Sequence, residues 1–212
     1  MPRSPIRHLF ALGLLVPWLA VGCGSDDENE PPDTSDAGTS DSGTPDSGAP
    51  DSGSPDSGTS LSQFAQDMLT GHNATRASAK PTPSPALEPL TWDTAAEGVA
   101  RAYAAKCRFE HNGERGNLGE NLYAATPGAT TTLGVVKGWS DELADYDYAS
   151  NSCATGKMCG HYTQIVWRNT KRVGCATQTC TENSPFGSRF PTWQLWVCNY
   201  APPGNYVGQK PY

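Results

Sequence analysis

Two runs near the C-terminus constrain this chain most, because each carries cysteines that strand geometry sorts into pairs. "RVGCATQTC", residues 172–180, and "TWQLWVCNY", residues 192–200, are rich in β-branched and aromatic residues and read as strands. Between them, "TENSPFGSRFP" supplies Pro185 and Gly187, the chemistry of a turn. A hairpin centred between Phe186 and Gly187 sets Cys175 opposite Cys198 and Cys180 opposite Trp193. Joining Cys180 to Cys198 instead would mean spanning about 17 Å of strand, whereas bridged Cα atoms lie within about 7 Å. The pairing expected is therefore Cys175 with Cys198, the local pair Cys153 with Cys159, and Cys107 with Cys180. The last closes a long loop, which stabilises by about 4 kcal/mol in the chain-entropy account.

These are six of seven cysteines, and an odd count in an exported chain needs an explanation. Export is read from the N-terminus. Arg3, Arg7 and His8 precede an apolar run from Leu9 to Val21 that ends in small residues, the form of a signal peptide over residues 1–22. The run closes on "LAVGC", which resembles the lipobox of bacterial lipoproteins with Cys23 as the acylated residue, although Ala20 stands where that box most often has Leu. A lipid on Cys23 leaves the other six cysteines for three disulfides outside the cytoplasm.

From Cys23 to Ser60 the chain reads as a disordered tether. Residues 24–60 hold ten acidic side chains and no basic one, repeat "DSGTPDSGAPDSGSPDSG", and offer nothing apolar enough to build a core. The repeat lacks the acidic ladder and terminal glutamate of a Ca²⁺ loop. It would hold a domain roughly a few tens of ångströms from a membrane, which the protein touches only through its lipid. The formal net charge of the whole chain is −7, but residues 61–212 carry 13 Lys and Arg against 12 Asp and Glu. A near-neutral domain argues against nucleic acid as a partner. Its 152 residues are enough for one real core. Oligomeric state leaves no trace in the sequence.

Within 61–212 helices come before strands. Leu61, Phe64, Met68 and Leu69 recur at helical spacing in a segment reaching about Ala79, which "KPTPSP" ends. A second helix opens in "WDTAAEGVARAYAAKC", with Thr94 and Glu97 as a capping box, Ala96, Val99, Ala100 and Tyr103 as its apolar face, and Cys107 in its last turn. Thr131 to Leu143 forms a third, with Leu133, Val136, Trp139 and Leu143 on one side. A fourth, short helix starts near Gly160 and passes into a strand around Ile165 to Trp167. Helices on both sides of one small antiparallel sheet make an α+β domain.

At "GHYTQIVWRNTKRVGC" and "VCNYAPPGNY" the chain resembles the two signature stretches of the CAP superfamily: cysteine-rich secretory proteins, insect venom antigen 5 and plant pathogenesis-related class 1 proteins. "HNATRA", "LTWD", "GENLYA" and "DYDYASNSC" follow the same family in order, and the ending "GNYVGQKPY" is similar to the plant members. The resemblance implies a three-layer α-β-α sandwich over 61–212. It also implies a cleft lined by His111, Glu120, Glu142 and His161, in which the two histidines bind a divalent metal with the glutamates beside them. The residues alone would not suggest it, since they are dispersed and form no compact ligand motif. Two imidazoles and two carboxylates do suit Zn²⁺. His161 would then have a task at the head of an otherwise apolar run, its ring neutral and a lone pair turned inward. His72 matches a family packing position and is read as structural.

Three further expectations rest on the resemblance. Some members suggest a hydrolytic triad of the His111 and Glu120 positions with a hydroxyl residue, here Thr126; no oxyanion hole is evident, and the chain is more simply a binding module than an enzyme. Others bind sterols near the loop ahead of the fourth helix, here Tyr146 to Met158, so Tyr146 and Tyr148 would face a small hydrophobic ligand or an extracellular protein unless they pack on Trp139. Residues 202–212 resemble a plant defence-signal peptide, although a closing strand end accounts for them as simply.

Overall fold

A computed structural model describes residues 60–212. The chain divides into two units, Met1–Ser54 and Pro55–Tyr212, and every described residue lies in the second. The expected signal peptide, Cys23 and the expected tether as far as residue 59 lie outside the described residues.

Helix α1 (Gln63–Ala77) starts where Ser62 Oγ accepts from Ala65 N at 3.3 Å, and it buries Met68, His72, Thr75 and Arg76 as one stripe. Strand β1 (Thr91–Trp92) leads into α2 (Thr94–Ala104). The expected capping box is not formed. Asp93 caps α2 by accepting from Ala95 N at 2.9 Å and Ala96 N at 3.0 Å, while Glu97 turns to Trp92 Nε1 at 2.8 Å and to Arg101. Cys107 also lies beyond the helix, in the left-handed region at φ 48°.

Strand β2 (Gly119–Ala125) precedes α3 (Thr132–Ser140), which tightens into a 3-10 turn over Asp141–Asp145. Val135, Val136 and Trp139 are its buried residues, so Leu133, expected in the core, is instead 46% exposed. A short hairpin, β3 (Tyr146–Asp147) and β4 (Ser152–Cys153), leads to α4 (Gly160–Ile165). No strand follows at Ile165 to Trp167. Those residues end the helix, where Arg76 Nη1 donates to the carbonyls of Ile165 at 2.8 Å and Trp167 at 2.9 Å.

Strands β5 (Arg172–Cys180) and β6 (Trp193–Ala201) complete a four-stranded sheet in the order β1-β5-β6-β2. It is mixed rather than wholly antiparallel, because β1 runs parallel to β5. In the central hairpin Cys175 lies opposite Cys198 and Cys180 opposite Trp193, the register the turn chemistry predicts. Disulfides join Cys175 to Cys198, Cys153 to Cys159 and Cys107 to Cys180, the last across a sequence separation of 73.

The two-residue period of β6 sorts its side chains into two cores. Trp196, Cys198 and Tyr200 join Met68, Val136, Trp139 and Ile165 from α1, α3 and α4. Trp193, Leu195 and Val197 join Ala100, Tyr103 and Ala104 from α2. Three helices, a sheet and a fourth helix thus form the three layers of an α-β-α sandwich.

Candidate functional site

The four candidate residues resolve into two histidine–carboxylate pairs. Glu120, near the start of β2, has a fully buried side chain; its Oε1 accepts from His111 Nδ1 at 2.8 Å and from Asn112 N at 2.9 Å. The His111 side chain is 62% exposed, so a buried carboxyl group holds a surface imidazole. Glu142, in the 3-10 turn, reaches the N-terminus of α4. Its Oε1 accepts from His161 Nδ1 at 2.5 Å, and its Oε2 from the backbone N–H groups of His161 and Tyr162 at 2.9 and 3.0 Å. A carboxylate supplied from outside thus caps a six-residue helix that has no side-chain cap of its own.

Asn121 connects the two halves. Its Nδ2 donates to the His161 carbonyl at 3.1 Å and to Tyr200 Oη at 2.9 Å. The chain continues inward, because Tyr200 Oη lies 2.8 Å from His72 Nε2 and His72 Nδ1 lies 2.7 Å from the Met68 carbonyl. Burial pushes the His72 pKa down from 6.5 to about 4, so the ring is neutral, donating at Nδ1 and accepting from the tyrosine. Trp139 lies nearly parallel to the His161 ring with centroids 6.0 Å apart, and its indole N–H donates to the Leu122 carbonyl at 3.1 Å. Asn121 and Trp139 are site residues that sequence reasoning passed over. The signal for Asn121 is its phase in β2: it shares a face with the core residues Tyr123 and Ala125, where a polar group needs partners.

Among the described residues no three His, Cys, Asp or Glu side chains form one metal-holding cluster. The four residues are therefore two oriented imidazoles, not a four-ligand cage. Of these four side chains, Glu120 has an oxygen, Oε2, that is buried without a partner among the described residues.

Thr126 does not join either pair. β2 is paired without a break from Gly119 to Ala125, which puts Thr126 about 20 Å along the strand from Glu120. Of the tyrosines in the loop ahead of α4, Tyr146 packs against the core cluster that includes Trp139. Tyr146 donates to Asn151 Oδ1 at 2.6 Å and packs beside Tyr162. Tyr148 is stacked on Tyr212 with centroids 4.8 Å apart and donates to its carbonyl. Residues 202–212 are not a strand end, since β6 stops at Ala201. They run beside α4 through a turn closed by Gln209 N to the Tyr206 carbonyl at 3.0 Å, and are fixed by Arg168 N to the Pro211 carbonyl at 2.7 Å and Gly204 N to Gln164 Oε1 at 3.0 Å.

A family model described as the cysteine-rich secretory protein family, CAP, matches residues 69–200. Pathogenesis-related protein 1B of Nicotiana tabacum is 42% identical over 151 residues, covering 69% of this chain and 80% of the tobacco protein. Peptidase inhibitor 16 of Homo sapiens is 41% identical over 145 residues, 68% of this chain but only 31% of the human protein, so the chain spans less than a third of that relative. Among solved structures, NaASP2 with Zn²⁺ superposes with a TM-score of 0.55 at 28% identity, covering 76% of this chain and 90% of that one. The sandwich, the signature stretches and the extent of these matches agree: the chain belongs to the cysteine-rich secretory protein family.

Proposed function

We propose that the protein is an exported binding module whose two histidine–carboxylate pairs hold a divalent cation, Zn²⁺ being the ion that suits this donor set. The observation that carries the reading is the carboxylate on each Nδ1. An ionised carboxylate only accepts, so Nδ1 carries the hydrogen, and in the neutral ring Nε2 is left as the lone-pair nitrogen. His111 and His161 would hold the ion while Glu120 and Glu142 orient the rings. A nearby positive charge would also offset the cost of the partnerless Glu120 Oε2. When bound, the ion supplies a Lewis-acid centre with positions left for donors of an extracellular partner. A relative solved with Zn²⁺ supports this choice of metal.

Export is supported by the three disulfides and by the secretory description of the family. Cys23 is the anchoring residue of this proposal. A hydrolase is the poorer reading, because Thr126 has no histidine within reach along β2. A sterol on the Tyr146 to Met158 loop is also poorer, because Tyr148 is covered by Tyr212 and the Tyr146 hydroxyl is engaged by Asn151.

Calorimetric titration of the oxidised full chain with Zn²⁺ tests the metal reading. One saturable site is expected, weakened at least about tenfold by His111→Ala and by His161→Ala and unchanged by Thr126→Ala. Indistinguishable titrations for the four proteins would overturn it.

A further inference from the structure

The β3–β4 hairpin, the start of α4 and residues 205–211 border an open, shallow cavity of about 300 Å³ that neither histidine pair lines. We propose that this cavity binds a neutral carbohydrate of mono- to disaccharide size, held between aromatic walls and two preset asparagine amides. The inference does not rest on the metal reading.

Charge is the first argument. No Asp, Glu, Lys, Arg or His is among the residues lining the cavity, so a charged ligand would be desolvated there without a counter-ion. The walls are the second. Tyr146, Trp167 and Tyr206 all contribute, and the Trp167 and Tyr206 rings lie 6.0 Å apart at 54°. Tyr206 is half exposed and offers the accessible aromatic face for the C–H surface of a sugar ring, while Trp167, only 3% exposed, supports it from the core side.

The amides decide the chemistry. Asn151 Oδ1 accepts from the Tyr146 hydroxyl at 2.6 Å, and its Nδ2 donates to the Gln209 carbonyl at 3.1 Å. Asn205 Nδ2 donates to the Gly160 carbonyl at 2.8 Å, and its Oδ1 accepts from Thr163 Oγ1 at 2.8 Å. A primary amide has two N–H donors and two carbonyl lone pairs. Each asparagine therefore keeps one donor and one lone pair in hand, with its plane already fixed by the rest of the protein. A pair of neighbouring sugar hydroxyls, each both donor and acceptor, matches such a spare set. An apolar ligand such as a sterol does not, since it would bury these groups unpaired. The frame is preset as well: Cys153–Cys159 closes the hairpin and Arg168 N holds Pro211. The volume is at the lower end for small-molecule sites, which sets the size of the sugar.

Saturation-transfer NMR on the full chain tests the inference, with EDTA present so that metal at the histidine pairs plays no part. The probes are glucose, galactose, N-acetylglucosamine and cellobiose, with glucuronate as the charged comparison and cholesterol sulfate as the sterol. Saturable transfer to at least one neutral sugar is expected. It should weaken about tenfold in Tyr206→Ala and in Asn205→Gly, a glycine that suits the φ of 58° at that position. Val207→Ala should leave it unchanged, because that side chain is exposed and does not line the cavity. If Asn205→Gly loosens the tail, Asn151→Gly, at φ 52°, should give the same loss. Absence of saturation by every neutral sugar, binding of glucuronate or cholesterol sulfate alone, or equal binding in the cavity variants would overturn the proposal.

Discussion

Replacing Gly174 by alanine should cost the domain about 3 kcal/mol or more and lower its melting temperature by roughly 6–12 °C. The phase of β5 turns Gly174 away from Val173 and Cys175, which face the core formed with α1, α3 and α4, and toward α2. A Cβ there would lie 2.2 Å from Glu97 N, 2.3 Å from the Asp93 carbonyl oxygen and 2.8 Å from the Ala96 carbonyl carbon. The first two of these atoms form the opening hydrogen bond of α2, at 2.9 Å. A methyl group would wedge into that bond, and all three contacts are backbone that no rotamer change can clear. Nor can the helix start slide away, because Asp93 N donates to the Val173 carbonyl at 2.9 Å and Arg172 Nε donates to Asp93 Oδ2 at 2.9 Å. Gly98→Ala is the contrast. Its Cβ would meet nothing within 4 Å, and alanine in a helix interior should be neutral or stabilise by up to about 1 kcal/mol. Thermal melts followed by circular dichroism separate the two, and a Gly174→Ala protein that melts with the parent would contradict the packing described for α2.

Acid should also unfold this domain through one buried ring. His72 is fully buried and desolvation dominates its pKa, with the Met68 carbonyl raising it and Arg76 lowering it, to a net value of about 4. Above the ordinary value of 6.5 the ring is neutral in the folded and unfolded chain alike, and pH has no purchase on it. Between 6.5 and about 4 the unfolded chain takes up a proton that the native one refuses, so stability falls as pH falls. Below about 4 the native ring charges too and the slope disappears. Going from pH 7 to pH 5 should remove about 2 kcal/mol by this route. Urea unfolding at the two values measures it, and His72→Gln should abolish that share of the loss. An unchanged pH slope in His72→Gln would show that the ring is not the buried neutral member of the Tyr200–Asn121 chain.

What the sequence disclosed and what it hid divide along the range of the interactions. Register in the β5–β6 hairpin was legible, because Pro185 and Gly187 mark the turn and alternation carries the count outward to Cys175 and Cys198. The start of α2 was legible only to within a residue. Thr94 and Glu97 fit a capping box, but Asp93 already satisfies two N–H groups and Trp92 draws Glu97 away. Ile165 to Trp167 misled for a known reason: a short apolar, β-branched run suits a buried helix end as well as a strand. Its role was settled by Arg76, almost ninety residues earlier. The pairings at the site were beyond any local pattern. His111 meets Glu120 across nine residues and His161 meets Glu142 across nineteen, so only the resemblance to a family could bring them together on paper.

In the proposed site two imidazoles, each held at Nδ1 by a carboxylate, would offer their Nε2 atoms to one cation. The most direct measurement is ¹⁵N NMR of the histidine side chains in the oxidised full chain during Zn²⁺ addition. The Nε2 resonances of His111 and His161 should shift together and saturate at one equivalent of Zn²⁺, leaving His72 unmoved. Movement of only one ring, shifts at Nδ1 instead, or no change at either histidine would contradict it.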